Sequence, residues 1–315
     1  MEKQENIILI DWLTFTTSIW SEHDLLDMLG LQSISWEERD CYRYGYRHMK
    51  TYGGMSILSD GHQASMGICV EFSGQGCRSF ESFSSLGWLP LFLELTEEYN
   101  EFRITRLDLA FDDHIGILDL NRLLDDTDEH LYRSRSKWWK VEYGSTGTTI
   151  YHGSPQSKIR CRIYDKAMER GCEEGTHWVR VELMLRDDNA LGAIRSILDK
   201  GDVGKTFSGI LSNYLVYCEP SNDSNRSRWP VADYWLLLIN GAEAIHVAAQ
   251  PGVEYNVFRL QAYLRDQAGG AIFTWMQIAG LDSLEELIRD RRNRLNPKHK
   301  TLLDHYDKFK KGEGS

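Results

Sequence analysis

The chain has 315 residues, 42% hydrophobic and 26% charged, enough for a sizeable core and one or two domains. A formal net charge of −11 excludes a uniformly basic coat for nucleic acid but leaves room for a local basic groove. The 6 cysteines form no C-x-x-C pair, which argues against a zinc site and for a reduced, cytoplasmic protein. Met1 to Asn6 lacks a signal-peptide n-region, and no apolar run is long enough to span a bilayer, so no membrane association is expected.

Helix and strand signals are mixed, so the expected class is α+β. Ile7 to Thr16 reads as a strand, and Ser21 followed by Asp24 reads as the cap of a short helix ending at Gly30. Tyr42 to Leu58 reads as paired strands with a turn near Gly53-Gly54, and Met66 to Ser73 as another strand. That strand runs into Gly74-Gln75-Gly76-Cys77-Arg78, where glycines allow close backbone approach. Leu86 to Tyr99 is an expected helix. A strand around Arg106, a helix near Leu118 to Leu124, and strands at Thr148 to His152, around Tyr164 and around Arg180 follow.

After Asp187 the texture changes to helices at Ala190 to Leu198, Val231 to Asn240, Val257 to Gln267 and Leu284 to Arg294. The polar stretch Ser221 to Arg228 is the expected domain boundary. It separates residues 1–220, a catalytic domain, from a helical region over 229–315. Gly204-Lys205-Thr206 imitates the end of a P-loop, but Asp199 stands where the upstream glycine is required.

Three strands carry the chemistry. In Arg160-Cys161-Arg162-Ile163-Tyr164-Asp165-Lys166, strand alternation puts Arg160, Arg162, Tyr164 and Lys166 on one face and Cys161 and Ile163 on the other. In Arg106 to Asp112, Leu107, Leu109 and Phe111 face the core while Arg106, Asp108 and Asp112 lie opposite. In Arg180 to Arg186, Val181, Leu183 and Leu185 face inward and Arg180, Glu182 and Arg186 outward. Solvated polar faces are common on amphipathic strands. An aromatic hydroxyl among cations, beside strands with an Arg-x-acidic pattern, points instead to a site.

A phenol ringed by cations suits attack on a phosphate. Its ordinary pKa of about 10 leaves it almost wholly protonated at neutral pH, so Lys166 and Arg162 are expected to lower it. Carboxylates from different strands suit a hard cation such as Mg²⁺ or Mn²⁺.

The chain resembles rolling-circle replication initiation factors of the Rep_trans type, which include plasmid initiators, relaxases of conjugative elements and initiators of filamentous phages. The residues that carry the resemblance are Ile10-Asp11-Trp12-Leu13-Thr14-Phe15, Gly45-Tyr46 with Gly53-Gly54, and Ser73-Gly74-Gln75-Gly76-Cys77-Arg78. They continue with Arg106 to Asp112, Arg162 to Lys166 and Arg180 to Leu183, in the family's order. The resemblance implies a curved antiparallel sheet backed by helices, with DNA on the sheet's open face. It also implies a DNA strand-transferase that nicks one strand at an origin, keeps the 5′ phosphate on tyrosine and leaves a 3′-OH.

Tyr164 stands at the nucleophile's place. Asp108 and Glu182 stand at the metal ligands' places, with Asp112 as third candidate and Asp11 and Glu71 behind it. Arg106, Arg160, Arg180, Arg186 and Arg78 are candidates for holding DNA. Such proteins commonly act with a host helicase and often as dimers. Two departures are the acidic net charge and the lack of a helix-turn-helix before Ile7; the second favours a replication initiator over a transfer relaxase. Other readings are a DNA-binding replication regulator without catalysis, and a metal-dependent phosphodiesterase that uses water in place of the tyrosine.

Overall fold

The computed structural model describes residues 5–145, 147–245, 269–281, 283–284 and 289. The chain divides into two compact units, Met1–Ser84 with Leu91–Ala249, and Ser85–Pro90 with Gln250–Ser315. The fold is α+β and is built on one large antiparallel sheet.

The strands are β1 (Ile7–Thr17), β2 (Glu37–Arg43), β3 (Tyr46–Tyr52), β4 (Met55–Gly61), β5 (Ile68–Phe72), β6 (Arg103–Asp113), β7 (Tyr132–Ser134), β8 (Trp139–Gly144), β9 (Gly147–His152), β10 (Ile159–Asp165), β11 (Val179–Arg186) and β12 (Leu215–Tyr217). Ten of them form the sheet in the order β2-β3-β4-β5-β1-β6-β11-β10-β9-β8, and β12 pairs separately with β7. The edge strand β2, Glu-Glu-Arg-Asp-Cys-Tyr-Arg, is largely exposed, and its charges discourage pairing with a further strand.

One face of the sheet is apolar because alternate residues are. Leu13, Phe15, Leu107, Leu109, Phe111, Cys161, Ile163, Val181, Leu183 and Leu185 are all fully buried. Helices cover this face. In α2 (Gly74–Phe83), Phe80 stacks on Phe72 of β5 with ring centroids 5.1 Å apart. In α7 (Val203–Tyr214), Phe207 stacks on Phe111 of β6 at 6.3 Å. The helix α6 (Asp188–Lys200) packs on β6 and β11, and α8 (Asp233–Ala244) packs on α7. Other helices of the chain are α1 (Glu22–Met28), α3 (Trp88–Thr96), α4 (Leu120–Asp128) and the short α5 (Lys166–Arg170).

Several expectations need adjustment. The segment Gly74 to Arg78, to which no element is assigned from the sequence, is the first part of α2. Its glycines do serve close approach, since a Cβ on Gly76 would lie 2.3 Å from the Gly54 carbonyl oxygen. The 221–228 loop lies inside the first unit, because α8 beyond it joins α7. Gly204 sits in the first turn of α7, where a Cβ would meet the Ala242 carbonyl oxygen at 2.2 Å, so packing accounts for it. In the second unit a helix spans Gly269–Ala279. The helix expected over Val257 to Gln267 lies outside the described residues, as does most of Leu284 to Arg294. Among the described residues no helix is long and apolar enough to cross a membrane.

The Gly76 contact generates a prediction. Helix propensity alone would favour Gly76→Ala by about 1 kcal/mol, but the new methyl meets the backbone of Gly54 and Met55. Gly76→Ala should therefore lower stability, by about 2 kcal/mol, read as an earlier midpoint in urea unfolding.

Candidate active site

The second face of the central strands is charged, and the pairing register sorts it into rows. Tyr164 of β10 pairs with Arg180 of β11, and Arg180 with Asp112 of β6. The next row is Arg162, Glu182 and Ala110. Then come Arg160, Met184 and Asp108, with Trp12 of β1 beside Asp108. A last row sets Arg186 against Arg106 and Arg106 against Thr14. The face thus brings Tyr164, Arg162, Glu182, Arg180, Asp112, Asp108, Arg106, Arg160 and Arg186 together.

Most of these charges are buried and paired. Asp108, Asp112, Glu182, Arg180 and Tyr164 are each at most 4% exposed. Arg180 donates to both oxygens of Asp112, Nε at 2.6 Å and Nη2 at 2.7 Å, and its Nη1 lies 2.9 Å from Asp11 Oδ1. Asp11 reaches it because β1 carries a bulge, with a register shift between Ile10 and Trp12. A bulge of this kind re-aims one side chain. Arg106 Nε donates to Asp108 at 2.9 Å, and its guanidinium lies 4.1 Å from the Trp12 ring centre. Arg162 Nη2 donates to Glu182 Oε2 at 2.7 Å.

The tyrosine sits inside this lattice. Its hydroxyl donates to Glu182 Oε2 at 3.3 Å and accepts from Lys166 Nζ at 3.3 Å. The Arg162 guanidinium lies 4.8 Å from its ring centre. Lys166 does not continue the strand, as alternation suggested. It opens α5, because the Asp165 side chain caps that helix by accepting from the Met168 N–H at 2.8 Å. Lys166 also pairs with Glu169.

The expected lowering of the tyrosine pKa does not occur. Burial, and then the Glu182 carboxylate, push the Tyr164 hydroxyl well above its ordinary value, and Arg162 and Arg180 offset only part of this. Burial also depresses the Lys166 ammonium. Glu182 behaves in the opposite way. Burial would raise it, but the charge and hydrogen bond of Arg162 hold it below the usual carboxylate range. Burial, with the neighbouring Glu182 charge, pushes Asp108 up to about 7 despite Arg106.

Among the described residues no group of three or more His, Cys, Asp and Glu side chains is set to hold a metal ion. Asp108 and Glu182 are diagonal neighbours across the β6–β11 pair, a spacing of about 7 Å. Glu182 Oε1 is sealed from solvent without a hydrogen-bond partner. The orphaned oxygen of Glu182 fits part of a Mg²⁺ or Mn²⁺ site, whereas Arg106 engages both oxygens of Asp108, which would have to exchange that arginine for a metal. Asp112 is engaged in the same way, with Arg180 on both its oxygens, in a pair that Asp11 also joins through Arg180. Glu71 is held by Arg43 and by the Tyr44 hydroxyl, 3.2 Å away.

Two candidates for holding DNA also have other partners. Arg78 lies on α2, donates to the Ile10 carbonyl at 2.6 Å and pairs with Glu81 at 2.9 Å. Arg180 is buried between Asp112 and Asp11, with little surface left for a phosphate. Sequence reasoning did not single out Trp12, Tyr151 or Glu169 for this face. The register of β9 against β10, which sets Tyr151 opposite Arg162, was not readable from spacing.

Asp112→Asn would leave Arg180 with a weakened partner in a buried setting, where breaking an ion pair costs about 3 kcal/mol or more. Chemical denaturation should show a loss of that order. A loss below about 1 kcal/mol would contradict the pairing described.

Comparisons with known proteins agree with this architecture. Residues 102–290 match the family described as Rep_trans, Replication initiation factor, and residues 7–89 match the Rolling Circle replication initiation protein N-terminal domain. A protein of Bacillus subtilis (strain 168) described as putative DNA relaxase NicK is 25% identical over 321 residues, covering 95% of this chain and 90% of that one. The structure of a rolling circle replication initiator protein from Geobacillus stearothermophilus is 31% identical, with a TM-score of 0.72, and the match covers 78% of this chain and 99% of that one. The Rep_trans match takes in β6, β10 and β11, the strands that carry the charged face, and extends over more than half of the sequence. This chain belongs to the replication initiation factor family.

Proposed function

We propose that this chain is a DNA nicking and joining enzyme that initiates rolling-circle replication. In this reading Tyr164 attacks one phosphodiester of origin DNA. The tyrosine oxygen bonds to phosphorus and the bond from phosphorus to the 3′ oxygen breaks. The phenolic proton leaves through the hydrogen bond to Glu182, and the departing 3′ oxygen takes a proton from water. The products are a 5′-phosphotyrosine and a free 3′-OH, and reversal by another 3′-OH rejoins the strand.

What supports the reading is the setting of the Tyr164 hydroxyl, 3.3 Å from both a carboxylate oxygen and an ammonium, with Arg162 against its ring. Burial holds the tyrosine protonated, so attack requires an acceptor for its proton at the moment of reaction. Glu182 is the carboxylate that the hydroxyl already addresses. Lys166 and Arg162 would stabilise the phenolate oxygen and the charge gathering on the phosphate. Asp108 and Glu182 would hold a Mg²⁺ or Mn²⁺ ion, which when bound would neutralise charge on the scissile phosphate. A host helicase as partner, a homodimer as working form and a cytoplasmic location belong to the same proposal.

Two measurements test it. Tyr164→Phe should abolish cleavage of single-stranded origin DNA, a loss of at least about a thousandfold, while binding holds within a few-fold. Cleavage that survives in the variant would instead indicate attack by water. Chelation should stop nicking by the wild-type protein, and added Mn²⁺ should restore it; nicking at an unchanged rate in chelator would remove the metal role of Asp108 and Glu182.

A further inference from the structure

Charge balance on the sheet face is uneven. The arginines in the rows around Tyr164 have carboxylate partners, Arg180 with Asp112 and Asp11, and Arg162 with Glu182. Further along β10 and β11 this stops. Arg160 lies four residues before Tyr164, and among the described residues its side chain makes no close ion pair, feeling the more distant charge of Glu142. Its guanidinium carbon lies 4.0 Å from the centre of the Tyr151 ring, and its Nε is sealed from solvent and unpartnered.

Arg186 is in a similar position. Among the described residues its Nη2 reaches the Pro155 carbonyl at 3.5 Å and Met184 Sδ at 3.3 Å, and its Nε is sealed and unpartnered. Acids in this region are engaged elsewhere. Asp187 pairs with Lys158, and Glu142 lies 3.5 Å from Lys140. Arg186 also faces Arg106 directly across the β6–β11 pair, a like-charge arrangement that costs stability.

A fold does not ordinarily gather unpaired cations with half-buried stems. Burial, Arg162 and Arg186 depress Arg160 below the ordinary arginine range, and Tyr151 and Glu142 offset only part of this. An arriving anion would reverse the cost, because a guanidinium fork and a phosphate make two parallel charged hydrogen bonds.

We propose that Arg160 and Arg186, with Tyr151 beneath Arg160, form a second DNA subsite that grips a non-scissile phosphate of a single strand. The proposal rests on the nicking reading and names where the rest of the strand is held. Four residues of a strand place Arg160 about 13 Å from Tyr164 along β10. At the duplex rise of about 3.4 Å per nucleotide that is about four nucleotides, and fewer in a stretched strand. The Arg160 plane stacked on Tyr151 also offers its outer side to an unstacked base.

The test uses the full chain carrying Tyr164→Phe, so that no cleavage intervenes, and oligo(dT) as probe, titrated across a range of NaCl concentrations. Arg160→Gln should weaken binding about tenfold and reduce the slope of log K against log salt by about 0.7, the share of one phosphate contact on a single strand. Arg160→Lys should keep the slope while losing part of the affinity, because the charge stays and the planar fork goes. The melting temperature of the free Arg160→Gln protein should not fall, since the change removes an unpaired charge.

Wild-type affinity and slope in Arg160→Gln would overturn the subsite and leave the nicking reading intact. A lower melting temperature with an unchanged slope would make Arg160 a structural residue and also overturn it. If the Tyr164→Phe parent itself fails to bind oligo(dT), both the subsite and the nicking reading fall.

Discussion

Four adjacent antiparallel strands set ionisable side chains on one sheet face, and burial in the rows around Tyr164 obliges each charge there to find a counter-charge. Arg180 is the centre of this constraint. It lies opposite Tyr164 on one side and Asp112 on the other, and reaches Asp11 at the β1 bulge. One guanidinium thereby ties β1, β6 and β11 together next to the tyrosine strand. Removing such a partner costs more than the pair itself contributes, because a bare charge is left behind. The lattice therefore fixes the site as firmly as the apolar core on the other face.

The same lattice sets the chemistry. A tyrosine so enclosed is not ionised in advance, despite the cations around it, because burial and the Glu182 carboxylate outweigh Arg162 and Arg180. In the proposed reaction the arrangement would supply instead a route for the proton and a set of cations for the charge that develops. Arg162 is half of an ion pair and 32% exposed, so it is the cation of the Tyr164 rows that is open to an incoming phosphate. The Glu182 charge helps burial to raise Asp108, and Arg106 and Arg162 offset only part of this.

Much of this was legible in the sequence, and the limits are physical. Alternation in Arg106 to Asp112, Arg160 to Asp165 and Arg180 to Arg186 sorted core from charged face, because a one-residue slip would bury the wrong set. The apolar spacing of β1, Ile8 and Ile10 and then Leu13 and Phe15, already contains the bulge as one extra residue. It does not say that Asp11 turns toward Arg180. Which strands become neighbours depends on long-range pairing, so the partnership of Arg180 with Asp112 was hidden and Asp112 passed for a ligand. Alternation alone extends the strand to Lys166, because Asp165 reads equally well as a strand end or a helix cap. Gly74 and Gly76 announced close approach, but the helix they begin follows from packing on β1 and β4.

The central claim is that Tyr164 itself takes the DNA. The most direct measurement is to react the wild-type protein with single-stranded origin DNA, digest the adduct with protease and nuclease, and locate the added mass by fragmentation. The account predicts a 5′-nucleotide phosphate on Tyr164 in the peptide from β10. Cleaved DNA with every tyrosine unmodified, or the mass on another residue, would contradict it.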